Sequence, residues 1–328
     1  MKYRIAIVIP FFGELNCKGY FQLFLDSCAQ NKFITWFLIT NDRTTYNYPE
    51  NVCVKYQSFE ELRGFIQNQF DFPISLNTPY KLCDFKPAYG NIFKEMIRDY
   101  DWWGFGDIDL IWGNASHFIT EELLENNEQL YSRGHLTISK NNEKMRLLYQ
   151  DQGGKELYRK IFSEERSYAF DELHISGGFR EIVARTGIQL YDELDFADIA
   201  KQNWFDVFSF ELAQAQLKSK EKNIGRSIFC WSPERLERIY YQNRKLISKE
   251  FLYIHLQRRN LKVLANRQES FCIVPNSILD TPAKITPMCI WKMHLNYGNI
   301  QTAMLMIIKR IEYLDERIKN RIKMIPFK

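Results

Sequence analysis

The apolar run at residues 3–10, "YRIAIVIP", constrains the fold of this chain more than any other stretch of its sequence. Apolar side chains fill almost every position, as in a strand that is buried on both faces of a helix-covered parallel sheet. A segment with helical spacing, "KGYFQLFLDSCAQN", comes next, and a second buried run, "ITWFLITND", occupies residues 34–42. This alternation predicts an α/β fold with a mixed, mainly parallel, doubly wound sheet that is flanked by helices.

Two later segments continue the alternation. The stretch "NVCVKYQS" is predicted as a third strand, and Ser58 with Glu61 has the spacing of a capping box at the start of a helix. Apolar residues at helical spacing predict another helix over residues 80–100, with Asp84 as its N-cap and Pro87 in its first turn.

The stretch "DWWGFGDIDLIWGN" (residues 101–114) is predicted as a strand, yet it carries Asp107 and Asp109 in its middle. Side chains two apart on a strand share one face, about 6.6 Å apart along the chain. A buried carboxylate is costly unless it is paired or bound to a metal, and carboxylates with phosphate oxygens suit Mg²⁺ or Mn²⁺. Ligands of open α/β sheets bind beyond the carboxyl ends of strands, where residues 10–13 and 40–43 also belong. The alternative is that one aspartate caps a helix and the other is solvated.

Composition indicates a reduced, cytosolic protein. The seven cysteines are odd in number and widely spaced, and no C-x-x-C occurs, so we expect free, mostly buried thiols. The apolar run at the N-terminus is short and ends at Pro10, so we expect no signal peptide. No stretch approaches the length of a membrane span.

The net charge of +4 is concentrated at one end of the chain. Residues 301–328 contain seven basic and three acidic residues, so the rest of the chain is neutral overall. From residue 302 to residue 325, apolar residues recur every three or four positions, which predicts a basic amphipathic helix. Such a helix favours an anionic membrane surface over nucleic acid. The alternative is a helix that packs on the rest of the protein with its charged face in water.

Several segments together resemble nucleotide-sugar glycosyltransferases of the GT-A fold, and more narrowly a bacterial polysaccharide-biosynthesis family of capsule and O-antigen gene clusters. The resemblance implies a GT-A-like, Rossmann-like fold, a UDP-sugar donor, in some members UDP-galactofuranose, and a lipid-linked glycan acceptor. It also implies a peripheral location at the inner face of the plasma membrane. The segments that carry it, besides "IAIVIPFFG", span residues 80–259: "YKLCDFKPAYGNIF", "DWWGFGDIDLIWGN", "GHLTISKNNEKMRLLY", "YAFDE" and "EFLYIHLQRR".

The resemblance also implies roles for individual residues. Asp107 and Asp109 match the Asp-x-Asp that holds Mn²⁺ or Mg²⁺ against the donor diphosphate, and His255, at a late strand end, matches a third metal ligand. The alternative for His255 is a core histidine. Residues assigned to the donor nucleotide are Pro10, Phe11, Asn41, Asp84, Lys86, Asp107 and Arg258. For Lys86 and Arg258 the alternatives are a surface lysine and a solvated basic loop.

The segment "YAFDE" supplies a candidate general base. An inverting transferase needs a carboxylate that takes the proton from the acceptor hydroxyl. Adjacent side chains point in different directions, so we assign Asp171 as the base, with Glu172 as the second choice. The alternative is an N-cap followed by an acidic first-turn residue, and a retaining mechanism would need no such base. His135 is a further candidate for a sugar contact, against a core role.

These observations predict one catalytic domain over residues 1–299 and the basic helix over 300–328. Within the domain, residues 1–115 form the nucleotide-sugar-binding half and residues 116–299 the acceptor half. The predicted activity is that of a metal-dependent, inverting hexosyltransferase. The competing functions are a Mg²⁺-dependent nucleotidyltransferase, although "PFFGELN" lacks a glycine-rich basic phosphate loop, and a non-catalytic membrane scaffold with a degenerate site.

Overall fold

The structure is a computed structural model. It describes residues 1–151, 156–172, 178–199, 207–211, 216–221, 227–257, 259–266, 269–296, 300, 304, 307–308, 311–312 and 314.

The strands of the described chain fall into three sheets. In chain order they are β1 Ile5–Phe11, β2 Ile34–Thr40, β3 Val52–Tyr56, β4 Trp102–Gly106, β5 Leu110–Trp112, β6 Gln129–Arg133, β7 Leu136–Lys140, β8 Leu190–Tyr191, β9 Ala197–Ile199, β10 Val207–Glu211, β11 Gln216–Glu221, β12 Ser227–Ser232, β13 Arg235–Gln242, β14 Lys245–Phe251, β15 Tyr253–His255, β16 Lys262–Val263, β17 Phe271–Val274 and β18 Ser277–Asp280.

The helices are mostly short. The α-helices are α1 Phe21–Ala29, α2 Phe59–Gln67, α3 Leu82–Phe85, α4 Tyr89–Ile92, α5 Glu121–Asn126, α6 Glu143–Arg146, α7 Leu157–Ser163, α8 Phe179–Thr186 and α9 Pro287–His294. Single 3₁₀ turns cover Pro79–Lys81, Lys86–Ala88, Ala115–His117 and Leu148–Gln150. Among the described residues, no helix has the length and apolar character that crossing a membrane requires.

The first sheet has the strand order β3-β2-β1-β4-β7-β6-β8. Strands β1 to β4 are mutually parallel, and the antiparallel β7 follows at the side of β4. The predicted class, a mixed and mainly parallel sheet flanked by helices, is therefore confirmed. At Gly104 of β4, a Cβ atom would lie 2.4 Å from the carbonyl oxygen of Thr137, so only glycine permits this approach of β7.

The first strand explains why the sheet is covered on both faces. Its side chains alternate between two apolar cores: Ile5, Ile7 and Ile9 enter one, and Ala6 and Val8 enter the other. Helix α1 covers the first face, while α2 and the short helices α3 and α4 cover the second. The Ser58 capping box that starts α2 is present as predicted.

The other two sheets hold most of the C-terminal half. One has the order β11-β10-β9-β15-β5, and the other, largely antiparallel, has the order β14-β13-β12-β17-β18-β16. A tryptophan on β12 connects this third sheet to the second, because the Trp231 indole N–H donates to the Trp112 carbonyl oxygen at 2.7 Å.

Three predicted elements differ from the structure. The strand over 101–114 is two strands in two sheets, β4 and β5, and Asp107 and Asp109 lie in the turn between them. The predicted helix over 80–100 is a series of short turns that ends at Ile92. The late strand at 249–259 is divided at Leu252, so that β14 and β15 belong to different sheets.

The expectation of free thiols is wrong for one pair of cysteines. Antiparallel pairing of β12 with β17 sets Cys230 opposite Cys272, with their Cα atoms 4.2 Å apart, and the two form a disulfide. They are 42 residues apart in the chain, and their apposition depends on strand register, which the cysteine spacing does not reveal. The remaining five cysteines are free, as predicted, but the expectation that most are buried is wrong, because only Cys28 is buried.

Candidate active site

A cavity of about 390 Å³ opens where the strand order of the first sheet reverses. Strands β2 and β3 lie on one side of β1 and β4 lies on the other, so the carboxyl ends of β1 and β4 flank a topological switch point. This is the place where open α/β sheets bind ligands. The residues that line it are Ile9–Phe12, Leu15, Cys17, Lys18, Tyr20, Phe21, Pro79, Tyr80, Leu82, Cys83, Lys86, Tyr89 and Gly106–Asp109.

Two carboxylates and a histidine converge beside this cavity. Ligand atoms of Asp107, Asp109 and His255 all lie within 4.8 Å of one another. The turn after β4 supplies the carboxylates, and antiparallel pairing of β15 with β5 sets His255 opposite Leu110. The Nε2 atom of His255 is 3.6 Å from Oδ1 of Asp109. Two carboxylates with one imidazole are a donor set that suits Mn²⁺ and related divalent cations.

A third carboxylate, that of Asp198 on β9, fixes the orientation of His255. The two residues are paired across β9 and β15, and Nδ1 of His255 is 2.8 Å from Oδ1 of Asp198. Gln257 donates to the same oxygen at 2.7 Å. With Nδ1 engaged, Nε2 is the ring nitrogen that faces Asp109, which is the usual arrangement of a metal-binding histidine and its outer carboxylate.

In the metal-free site the surrounding carboxylates favour the protonated form of His255, so a metal ion would have to displace that proton. Burial opposes a charge on His255, but the carboxylates of Asp109 and Asp198 outweigh it and raise the pKa of His255 to about 9. Burial raises the pKa of Asp198, but its hydrogen bond with His255 and the positive charge of that ring outweigh burial and lower the pKa to about 2.

His135 forms an overlapping group with Asp198 and His255. Its ring centroid is 4.3 Å from that of His255, and its Nδ1 is 2.9 Å from the hydroxyl oxygen of Tyr253. Burial and the charge of His255 hold the pKa of His135 well below its ordinary value, so the ring is neutral. Because Asp198 already binds Nδ1 of His255, the group of Asp107, Asp109 and His255 is the better candidate for a metal site.

Lys86 connects the metal-type cluster, which is the group of Asp107, Asp109 and His255, to the predicted base Asp171. Its Nζ atom donates to Asp107 Oδ1 and to the Gly134 carbonyl oxygen, each at 2.7 Å, and lies 3.2 Å from Asp171 Oδ2. Burial disfavours the ammonium charge, but Asp107 and Asp171 outweigh burial and raise the pKa of Lys86 well above its ordinary value. The alternative of a surface lysine is therefore wrong: Lys86 is a charged group inside the candidate site.

Asp171 is enclosed beside Lys86, with 4% of its surface exposed. Burial raises the pKa of Asp171, and the negative charges of Glu172 and Asp107 raise it further. The positive charge of Lys86 lowers it but does not outweigh them, and the resulting pKa is about 7. A Cβ atom at Gly134 would lie 2.8 Å from Asp171 Oδ2 and 2.9 Å from Glu172 Oε1, so the glycine makes room for both carboxylates.

The prediction for Asp84 as an N-cap with a donor-binding role requires correction. This residue lies inside α3, is fully buried and does not line the cavity. Its carboxylate accepts from Lys81 Nζ at 2.8 Å and from the backbone N–H groups of Tyr168 and Phe170, each at 2.9 Å. Asp84 therefore holds in place the segment that leads to Asp171.

The remaining predicted residues are placed as follows. Pro10 and Phe11 line the cavity. Asn41 does not: its side chain accepts from the Gly13 N–H at 2.9 Å and shapes the loop after β1. Arg258 lies outside the described residues.

Sequence reasoning missed Asp198, Gln257 and Tyr20. Asp198 and Gln257 belong to the site only because the pairing of β9 with β15 brings distant segments of the chain together. Tyr20 lines the cavity at the start of α1, and its aromatic character alone indicates a core position.

Solved structures with partial likeness to the chain include three transferases. The glycosyltransferase GlyE of Streptococcus pneumoniae TIGR4 is 13% identical, with 59% of this chain and 46% of GlyE covered and a TM-score of 0.31. The match therefore spans less than half of GlyE. The galactosyltransferase LgtC, in complex with donor and acceptor sugar analogs, is 11% identical over 59% of this chain and 75% of LgtC, with a TM-score of 0.32. Mouse xyloside xylosyltransferase 1, in its apo form, is 10% identical over 60% of this chain and 87% of the enzyme, with a TM-score of 0.35.

No curated protein matches the sequence. A family profile does, and it covers residues 7–282, from β1 through all three sheets. The chain therefore belongs to the family of unknown function DUF6625.

Proposed function

We propose that this protein is a metal-dependent glycosyltransferase that moves a sugar from a UDP-sugar to a glycan acceptor. The observation that carries the proposal is the convergence of Asp107, Asp109 and His255 at the switch-point cavity, with Lys86 and Asp171 alongside. An Asp-x-Asp turn after a central parallel strand is also what the sequence resemblance to GT-A transferases implies.

In this proposal, Asp107, Asp109 and His255 hold a Mn²⁺ or Mg²⁺ ion. When bound, the ion offsets the negative charge that develops on the departing UDP. Lys86 fixes the Asp107 carboxylate through its 2.7 Å hydrogen bond, and Asp198 holds the His255 ring. Pro10 and Phe11 contact the nucleotide, since they end β1 at the cavity wall.

Asp171 takes the proton from the acceptor hydroxyl in an inverting transfer. Its pKa of about 7 supports this role, because a general base is most effective when its pKa lies near the working pH. The Lys86 ammonium, 3.2 Å away, stabilises the carboxylate after it has lost its proton. Glu172 remains the second choice.

The acceptor side is assigned to residues 116–299 and the donor side to residues 1–115. We assign the acceptor to the lipid-linked glycans of cell-surface polysaccharide synthesis, such as capsule or O-antigen. The protein then works as a peripheral protein at the inner face of the plasma membrane, and the basic helix at 300–328 makes the contact. Most of this predicted helix lies outside the described residues. The apolar residues Met304, Ile307, Ile308, Ile311 and Leu314 are described, and all are exposed, which supports this assignment.

The test is the release of UDP from a panel of UDP-sugars, with Mn²⁺, with Mg²⁺ and with EDTA. We expect release that needs a divalent cation and is nearly abolished by Asp107→Ala or Asp109→Ala, since each removes a metal ligand. Asp99→Ala is the matched control, because this exposed carboxylate lies at the opposite end of β4 and should leave turnover unchanged. Wild-type turnover of Asp109→Ala in excess EDTA would overturn the proposal. Pyrophosphate release from a nucleoside triphosphate would indicate a nucleotidyltransferase instead.

A further inference from the structure

Tyr20 has a buried hydroxyl group for which the described part of the protein offers no hydrogen-bond partner. The residue is only 3% exposed, and its ring packs in the apolar core on the α1 side of the first sheet. A buried hydroxyl without a partner is destabilising, and phenylalanine would fill the same space without that cost. The hydroxyl group therefore calls for a partner that the polypeptide does not supply.

The position of Tyr20 indicates where such a partner would bind. The residue lines the cavity and immediately precedes α1, a helix of nine residues whose first N–H, that of Phe21, donates to Asn16 Oδ1 at 3.1 Å. The N-terminal end of a helix carries partial positive charge. Lys18, two residues earlier, also lines the cavity, and no ion pair is found for it among the described residues.

The charge around the hydroxyl sets its role. Burial and the nearby Asp109 carboxylate both raise the pKa of Tyr20, so the phenol stays protonated and can donate. An anion in this cavity would find the Tyr20 hydroxyl donor and the Lys18 ammonium among the residues that line it. Asp107 and Asp109, which suit a divalent cation together with His255, line the same cavity.

We propose that Tyr20 donates a hydrogen bond to a phosphate oxygen of the nucleoside diphosphate in this cavity, with Lys18 as a second, cationic contact. This inference rests on the proposed function, because it takes the ligand to be the diphosphate part of a nucleotide sugar. It adds a binding residue to the wall of the cavity that also holds Asp107 and Asp109.

The experiment compares Tyr20→Phe with wild type for binding of two probes in the presence of Mn²⁺: UDP and inorganic pyrophosphate. Calorimetry should show that Tyr20→Phe weakens both by about tenfold or more, the usual effect of losing a hydrogen bond to a charged group. Without ligand, Tyr20→Phe should unfold at the same temperature as wild type or a higher one, since it loses only an unpaired hydroxyl. Lys18→Gln should also weaken both probes, and its effect should shrink as salt is added.

Tyr48→Phe is the matched control. Its hydroxyl is also buried, but it lies beside Tyr56 and Tyr48 does not line the cavity, so affinity should not change. Equal binding by Tyr20→Phe and wild type overturns this inference alone. So does weakening for UDP without weakening for pyrophosphate, or a lower unfolding temperature of unliganded Tyr20→Phe. A wild-type protein that binds neither probe overturns the proposed function together with the inference.

Discussion

At the scale of single residues, the candidate site is a set of charged side chains in which each cation lies between two carboxylates. Lys86 lies between Asp107 and Asp171, and His255 lies between Asp109 and Asp198. An isolated buried carboxylate costs several kcal/mol, and these neighbours offset part of that cost, although burial still raises the pKa of Asp171. The geometry of the site is therefore set by the protein itself before any ligand binds.

The base assignment gives a prediction at this scale. Asp171→Asn should lower turnover by about 10²–10⁴-fold, because an amide cannot take up the acceptor proton. UDP affinity, measured by calorimetry, should change little. Glu172→Gln is the matched variant, since it neutralises the adjacent carboxylate. A large loss in Glu172→Gln without one in Asp171→Asn would assign the base to Glu172, and no loss in either would favour a retaining mechanism.

At the scale of elements, the sequence predicts those strands and helices that depend only on residues close together in the chain. The buried runs of β1 and β2 and the capping box of α2 are visible in a few neighbouring residues, and those elements form as expected. Strands β13 and β14 were missed because much of their surface faces solvent, so neither has a continuous apolar run.

The residues of the site also divide into those that a local motif reveals and those that depend on contacts between distant segments. Asp107 and Asp109 were predicted from a short motif, but on a strand rather than in the turn that carries them. The contribution of Asp198 could not be predicted, because it depends on the register between β9 and β15, 57 residues apart in the chain. Register is a property of the assembled sheet and has no local signal.

The C-terminal helix gives the prediction at the element scale. Deleting residues 301–328 should abolish binding to anionic liposomes and spare UDP-sugar hydrolysis, because each basic residue near such a surface contributes about 1 kcal/mol. Liposome co-sedimentation at low salt measures the first effect, and UDP release measures the second. As a matched variant, Ile307→Asp with Ile311→Asp should weaken binding while keeping every basic residue. Full-length protein that ignores anionic liposomes, or an unfolded truncation, would favour a helix packed on the domain.

At the scale of the whole molecule, the buried Asp171 carboxyl group connects stability to pH. Its pKa is about 7 in the folded protein, against an ordinary value of 3.8. Between these two values, the folded state keeps a proton that the unfolded state has lost. The contribution of Asp171 to the free energy of unfolding therefore falls as pH rises from about 4 to about 7, and it is constant outside that window.

Chemical denaturation of metal-free protein across this range can isolate the effect. Subtracting the curve of Asp171→Asn from that of wild type removes the other titrating groups, and the difference should decline through the window. A flat difference would mean that Asp171 is ionised in the folded state at acidic pH.

The order of strands in the second sheet has a consequence for how the protein is made. Strand β15 is the last of its five strands in the chain, yet it lies between β9 and β5, which are made earlier. Because synthesis starts at the N-terminus, β1 to β4 and their helices leave the ribosome while β15 is still unsynthesised. The gap between β9 and β5 closes only when Tyr253–His255 arrives, and His255 is carried on that strand. Completion of the sheet and completion of the three-residue cluster are therefore one event late in biosynthesis, and a prematurely terminated chain has neither.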